Sequence, residues 1–187
     1  ESFTVGDLDG QGDWTVEYGS SSVSTDQALS GQKSIYSRRT TANSSVNYTV
    51  NTNLLDYSDT ISFALYKSSV SGGNLQRMEF RPRNINNNDF CMVKTFDNTV
   101  LLMHGEGTTN VGTFNANTWT TVTINYDTEL RKCRAKVNEN EYSAYYNFPS
   151  SITTENTNIL YIDLQNYDQT YGYFDDVMFG SNNPPPF

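Results

Sequence analysis

Long polar side chains recur at every second position in Arg77-Met-Glu79-Phe-Arg81-Pro-Arg83. A period of two puts Arg77, Glu79, Arg81 and Arg83 on one side of an extended chain and Met78 and Phe80 on the other. A guanidinium is a planar fork that holds a carboxylate through two parallel hydrogen bonds. Three such forks on one strand face stand out in an acidic chain with only 12 basic residues. Residues 158–165 repeat the pattern, with Leu160, Ile162 and Leu164 inward and Tyr161, Asp163 and Gln165 outward. In residues 59–66, Ile61, Phe63 and Leu65 face the core and Tyr66 faces away. If these strands share a sheet, Tyr66, Arg77, Glu79, Arg81, Arg83, Tyr161, Asp163 and Gln165 form one polar, partly aromatic surface. The competing reading is a solvated strand face whose charges pair with one another.

A second chemical feature is the aspartate pair in Tyr171-Gly-Tyr-Phe-Asp-Asp-Val-Met-Phe179. Strict alternation sends Phe174, Asp176 and Met178 one way and Tyr173, Asp175, Val177 and Phe179 the other. A carboxylate in an apolar strand is costly unless it is paired or bound to a metal. The opening Glu1-Ser-Phe-Thr-Val is a matching extended segment, expected to lie beside the last strand. The chain holds a single histidine, which excludes a zinc site built on histidines. That residue, His104, lies at a strand end between Met103 and Gly105 and reads as structural. The basic run 131–136 reads as solvated surface. Cys91 and Cys133 are either a disulfide of an extracellular chain or two buried thiols, and their spacing excludes a zinc ribbon or a redox pair.

The elements that must carry these residues are strands. Aromatic residues make up 13% and charged residues only 18%, a usage that favours strands and turns over helices. About twelve short alternating segments separated by turns predict an all-β, antiparallel β-sandwich or barrel. The clearest are 59–66 and 119–127, the latter with Val122, Ile124 and Tyr126 inward. One domain is expected over 1–180, followed at 181–187 by the start of a Pro-rich linker. A net charge of −9 argues against nucleic acid as a partner, and no apolar run approaches the ~20 residues of a membrane span.

Four phrases together resemble the concanavalin A-like, laminin G-type jelly-roll domains of secreted bacterial glycan-handling proteins. They are Phe3-x-x-Gly6-x-Leu8-x-Gly10-Gln11-x-x-x-Trp14, Ala28-x-x-Gly31-x-Lys33-Ser34, Asn117-Thr-Trp119-x-x-Val122-x-Ile124-x-Tyr126-Asp127, and Phe174-Asp-Asp-Val177. The first and last also resemble those of smaller jelly-roll carbohydrate-binding modules. The resemblance implies a jelly roll in which Trp14 and Trp119 are core. It also implies a structural calcium near paired terminal strands, with Asp175, Asp176, Asp7 and Glu1 as candidate ligands suited to a hard cation. Aspartates that cap turns or bond amides are the alternative.

The function implied is non-catalytic carbohydrate binding by a secreted, monomeric module tethered to others. Its partner is expected to be a plant or algal polysaccharide, and the arginine forks suggest uronate polymers such as pectin or alginate. Tyr142, Tyr145 and Tyr146, in the segment 141–146 that reads as a strand, and Tyr167, Tyr171 and Tyr173, are further aromatic positions whose default is packing. Arg77-Met-Glu79-Phe-Arg81 also resembles one strand phrase of alginate lyases, but the Gln-x-His phrase and the late tyrosine strand are missing. A lyase using His104, a tyrosine and Arg81 is therefore one alternative, and a protein-binding adhesion or spacer module is the other.

Overall fold

The structure, a computed structural model, describes residues 3–38, 44–49, 59–69, 77–153, 158–167 and 171–179. Its strands are β1 (Gly6–Asp7), β2 (Trp14–Tyr18), β3 (Ser20–Ser24), β4 (Ser34–Arg38), β5 (Ser44–Thr49), β6 (Thr60–Lys67), β7 (Met78–Arg83) and β8 (Met92–Phe96). They continue with β9 (Thr99–His104), β10 (Gly107–Thr113), β11 (Trp119–Asp127), β12 (Lys132–Val137), β13 (Tyr146–Asn147), β14 (Tyr161–Asn166) and β15 (Tyr171–Phe179). No helix occurs among the described residues. The strands form two antiparallel sheets, eight-stranded β1-β3-β4-β15-β6-β11-β12-β13 and seven-stranded β10-β9-β8-β7-β14-β5-β2. This is an all-β sandwich, not a barrel.

Alternation builds the core as expected. Ile61, Phe63 and Leu65 of β6 and Val122, Ile124 and Tyr126 of β11 turn inward from the larger sheet. Met78 and Phe80 of β7 and Ile162 and Leu164 of β14 meet them from the smaller sheet. Phe63 and Phe80 stack across the interior, with ring centroids 3.9 Å apart. Trp14 is buried against Tyr48. Cys91, at the entry to β8, is bonded to Cys133 on β12, so the disulfide ties one sheet to the other. With its two cysteines 42 positions apart in sequence, the loop-closure entropy it removes from the unfolded chain stabilises the fold by about 4 kcal/mol.

Four expectations are corrected. The first and last strands share a sheet but are not neighbours, because β3 and β4 lie between β1 and β15, and β1 is Gly6–Asp7. Glu1 lies outside the described residues, as does the proposed linker 181–187. The two-residue alternation of β15 breaks at a bulge between Asp175 and Met178. Asp176 there has a φ of 46°, and the extra residue lets both Phe174 and Val177 turn inward. Trp119 is half-buried on the outer face of the larger sheet, where its ring lies 5.5 Å from Tyr66. Residues 141–145 form no strand; Tyr142 and Tyr145 instead flank Arg134, each ring 4.4 Å from its guanidinium.

Candidate functional site

Seven of the eight expected surface residues lie together on the outer face of the seven-stranded sheet. Antiparallel register sets Asp163 opposite Arg81 on β7 and Asn47 on β5, Gln165 opposite Glu79 and Ser45, and Tyr161 opposite Arg83. Tyr66 does not join them. It belongs to β6 in the other sheet and points away from the sandwich on the opposite side. Two packed sheets separate these faces, each pair of sheets being ~10 Å apart.

At the centre stands Asp163, fully buried although it points away from the core. One carboxylate oxygen accepts a hydrogen bond from Ser45 Oγ at 2.9 Å. The other accepts from Gln165 Nε2 at 2.6 Å and pairs with Arg83 Nη1 at 3.1 Å. Burial raises the Asp163 carboxyl above its ordinary value, and Arg83, Ser45, Arg81 and Gln165 offset only part of that.

The arginines are held by carboxylates of the same face. Arg77 Nε meets Glu79 Oε1 at 2.5 Å while its guanidinium covers the Tyr167 ring at 3.9 Å. Arg81 grips Asp89 through Nη2 at 2.7 Å and Nε at 3.2 Å, and Arg83 Nε reaches the same carboxylate at 3.0 Å. Burial works against the charge of Arg81, but Asp89, Asp163 and Glu79 outweigh it and hold its proton more firmly than usual. The face is therefore an ordered ionic lattice, closer to the self-paired reading than to three open forks. Tyr167 OH donates to Gln165 Oε1 and extends the lattice toward the loop.

Sequence reasoning missed Ser45, Asn47 and Asp89. Ser45 and Asn47 alternate with Val46 in β5, a signal of the same kind as the one that exposed Asp163. Asp89 follows the turn 84–88 and is bridged to Arg83, a placement that spacing alone does not reveal. The side-chain oxygen of Asn47 is buried and accepts no hydrogen bond among the described residues.

The other expected positions sort differently. Asp175 accepts the amides of Leu29 at 2.8 Å and Ser30 at 3.4 Å on one oxygen, and of Asp176 at 2.8 Å on the other. Asp176 accepts the Ser30 hydroxyl. Asp7 is three strands away, about 14 Å at the spacing of paired strands, and Glu1 lies outside the described residues. Among the described residues no three His, Cys, Asp or Glu side chains gather as a metal site. His104 stacks on Tyr146 with centroids 4.0 Å apart; its Nδ1 accepts the Glu106 amide, and Nε2 pairs with Thr109 Oγ1 at 3.0 Å. His104 shares the inward parity of Leu102, whereas Arg81 points outward, so the residues of the lyase alternative do not converge. On the outer face of the eight-stranded sheet, Tyr36, Tyr173, Tyr66 and Trp119 stand in one transverse row. Tyr66 and Tyr173 are buried within it, edge against face.

No protein-family model and no curated protein sequence matches the chain. Solved structures do. A sialidase superposes on 91% of this chain with a TM-score of 0.66 and 13% identity, although the match covers 17% of the sialidase. The globular domain of T. cruzi calreticulin matches 93% of this chain and 87% of its own, with a TM-score of 0.59 and 9% identity. The carbohydrate-binding module CBM66 from Bacillus subtilis matches 89% of this chain and 94% of its own, with a TM-score of 0.53 and 8% identity. The chain thus has the concanavalin A-like β-sandwich fold. Identities this low establish the fold and not the ligand.

Proposed function

We propose that the chain is a non-catalytic carbohydrate-binding module that holds a secreted, multimodular protein on a plant or algal polysaccharide, uronate polymers included. The observation that carries this reading is the outer face of the seven-stranded sheet. There buried Asp163, Gln165, Ser45 and Glu79 fix three arginines whose guanidinium groups stay partly exposed. A polyol offers hydroxyls that both donate and accept, which suits a rigid array of ionic groups. Tyr161 at the end of the row supplies a ring for a sugar face. CBM66 and the sialidase support the reading through their own names and the shared fold. The disulfide supports an oxidising, extracellular setting.

Native affinity electrophoresis against pectin, alginate, xylan, xyloglucan, β-glucan and mannan tests it. Retardation by at least one polymer, without release of new chain ends, is the expected result. Unsaturated ends detected by ultraviolet absorbance would establish a lyase instead, and no retardation by any polymer would favour an adhesion or spacer role.

A further inference from the structure

We infer that Lys94 is the residue that pairs with an anionic substituent of the bound glycan, a carboxylate or a sulfate ester. This rests on the glycan-binding reading of the seven-stranded sheet and deepens it. Lys94 lies on β8, opposite Glu79 of β7 and Leu101 of β9. Its neighbour Val93 is buried against the core, so Lys94 points outward onto the same face as Glu79 and Arg81.

Although Lys94 faces Glu79 in register, that carboxylate is already engaged. Arg77 holds one oxygen at 2.5 Å, and Arg81 Nη1 lies 3.9 Å from the other. Arg81 and Arg83 are in turn bound to Asp89 and Asp163. Lys94 makes no ion pair or hydrogen bond among the described residues. Four cations, Arg77, Arg81, Arg83 and Lys94, share the face with four carboxylates, Glu79, Asp89, Asp163 and, beyond Ser45 on β2, Glu17. Of these cations Lys94 is the one that no carboxylate among the described residues neutralises.

The surroundings of Lys94 strengthen such a pair. Met92 and Phe96 flank it along β8, and Leu101 and Met103 stand on the same face of β9, all buried or half-buried. Apolar neighbours displace water and lower the local dielectric, which raises the worth of a charge pair above that of an open surface contact. An ammonium is also a compact charge with three rotatable donors, able to take a carboxylate or a sulfate without a fixed fork geometry. Lattice and lysine therefore divide the work, with the ionic array reading hydroxyls and Lys94 reading charge.

The test compares wild type, Lys94→Gln and Lys94→Arg in affinity gels containing polygalacturonate, its fully methyl-esterified form, κ-carrageenan or desulfated κ-carrageenan. Wild type is expected to bind one anionic polymer more tightly than its neutral counterpart, the polymer pair distinguishing carboxylate from sulfate. Lys94→Gln should lose about fivefold on that polymer while keeping its affinity for the neutral counterpart, and Lys94→Arg should retain the preference. Equal binding of charged and neutral forms by wild type, or an unchanged preference in Lys94→Gln, would overturn the assignment and leave glycan binding standing. Failure of wild type to bind any of the four polymers or the neutral glucans and xylans would remove both.

Discussion

Asp163 and Arg83 meet at 3.1 Å on the outside of the seven-stranded sheet, and Asp163 is nevertheless fully buried. A carboxylate in that position gives up its hydration and recovers it only through Ser45, Gln165 and the two guanidinium groups. Removing it leaves Arg83 and Arg81 short of a counter-charge in a poorly hydrated setting. Asp163→Ala is expected to cost about 3–5 kcal/mol of folding stability, read from urea unfolding followed by tryptophan fluorescence. A loss below about 1 kcal/mol would mean that the lattice is solvated in solution.

His104 offers a clean pH probe, since it is the single histidine of the chain. Burial lowers its pKa below 6.5, and nearby Glu106 offsets only part of the effect. A lowered folded-state pKa means that the unfolded chain binds the proton first as pH falls. Stability from this group is thus complete above 6.5 and is lost as pH drops from there toward the folded value. Proton NMR of the imidazole should titrate below 6.5, and a value above it would contradict the packing on Tyr146.

The Cys91–Cys133 bridge joins the two sheets. Replacing both cysteines with alanine should cost about 4 kcal/mol, which for a domain of this size lowers Tm by roughly 8–16 °C. Differential scanning calorimetry measures it, and unchanged Tm would show that the inter-sheet packing alone closes the unfolded chain's deficit.

Asp175 anchors the loop between β3 and β4 through the amides of Leu29 and Ser30. Asp175→Ala should cost about 1 kcal/mol, since water can take over the exposed amides. If hydrogen bonding is the whole role of the aspartate pair, adding calcium or EDTA leaves the wild-type Tm unchanged. A calcium-dependent rise would instead show a cation held by Asp175 and Asp176 together with ligands beyond Asp7.

Much of this was legible in the residues. Period-two patterns identified the inward sets of β6, β7, β11 and β14 and the outward set that includes Asp163 and Arg81. They assign a side chain to one side of its own strand and say nothing about which strand lies next to it. For that reason Tyr66, correctly outward, was grouped with arginines that lie across the sandwich. A bulge at Asp176 is also invisible to strict alternation, and it reversed the expected facing at the end of β15. The resembling phrase implies a core Trp119, yet its register with Tyr66 puts it outside. Finally, the arginines read as open forks because Asp89, the shared counter-charge of Arg81 and Arg83, sits in a turn whose return path no local pattern specifies.

The central claim is that the outer face of the seven-stranded sheet binds glycan. The most direct measurement is a 1H–15N NMR titration with an oligosaccharide of the polymer that retards the protein most. The account predicts shifts concentrated at 45–47, 77–83, 92–94 and 161–165. Shifts confined to the row of Tyr36, Tyr173, Tyr66 and Trp119 would contradict it and move the site to the opposite sheet.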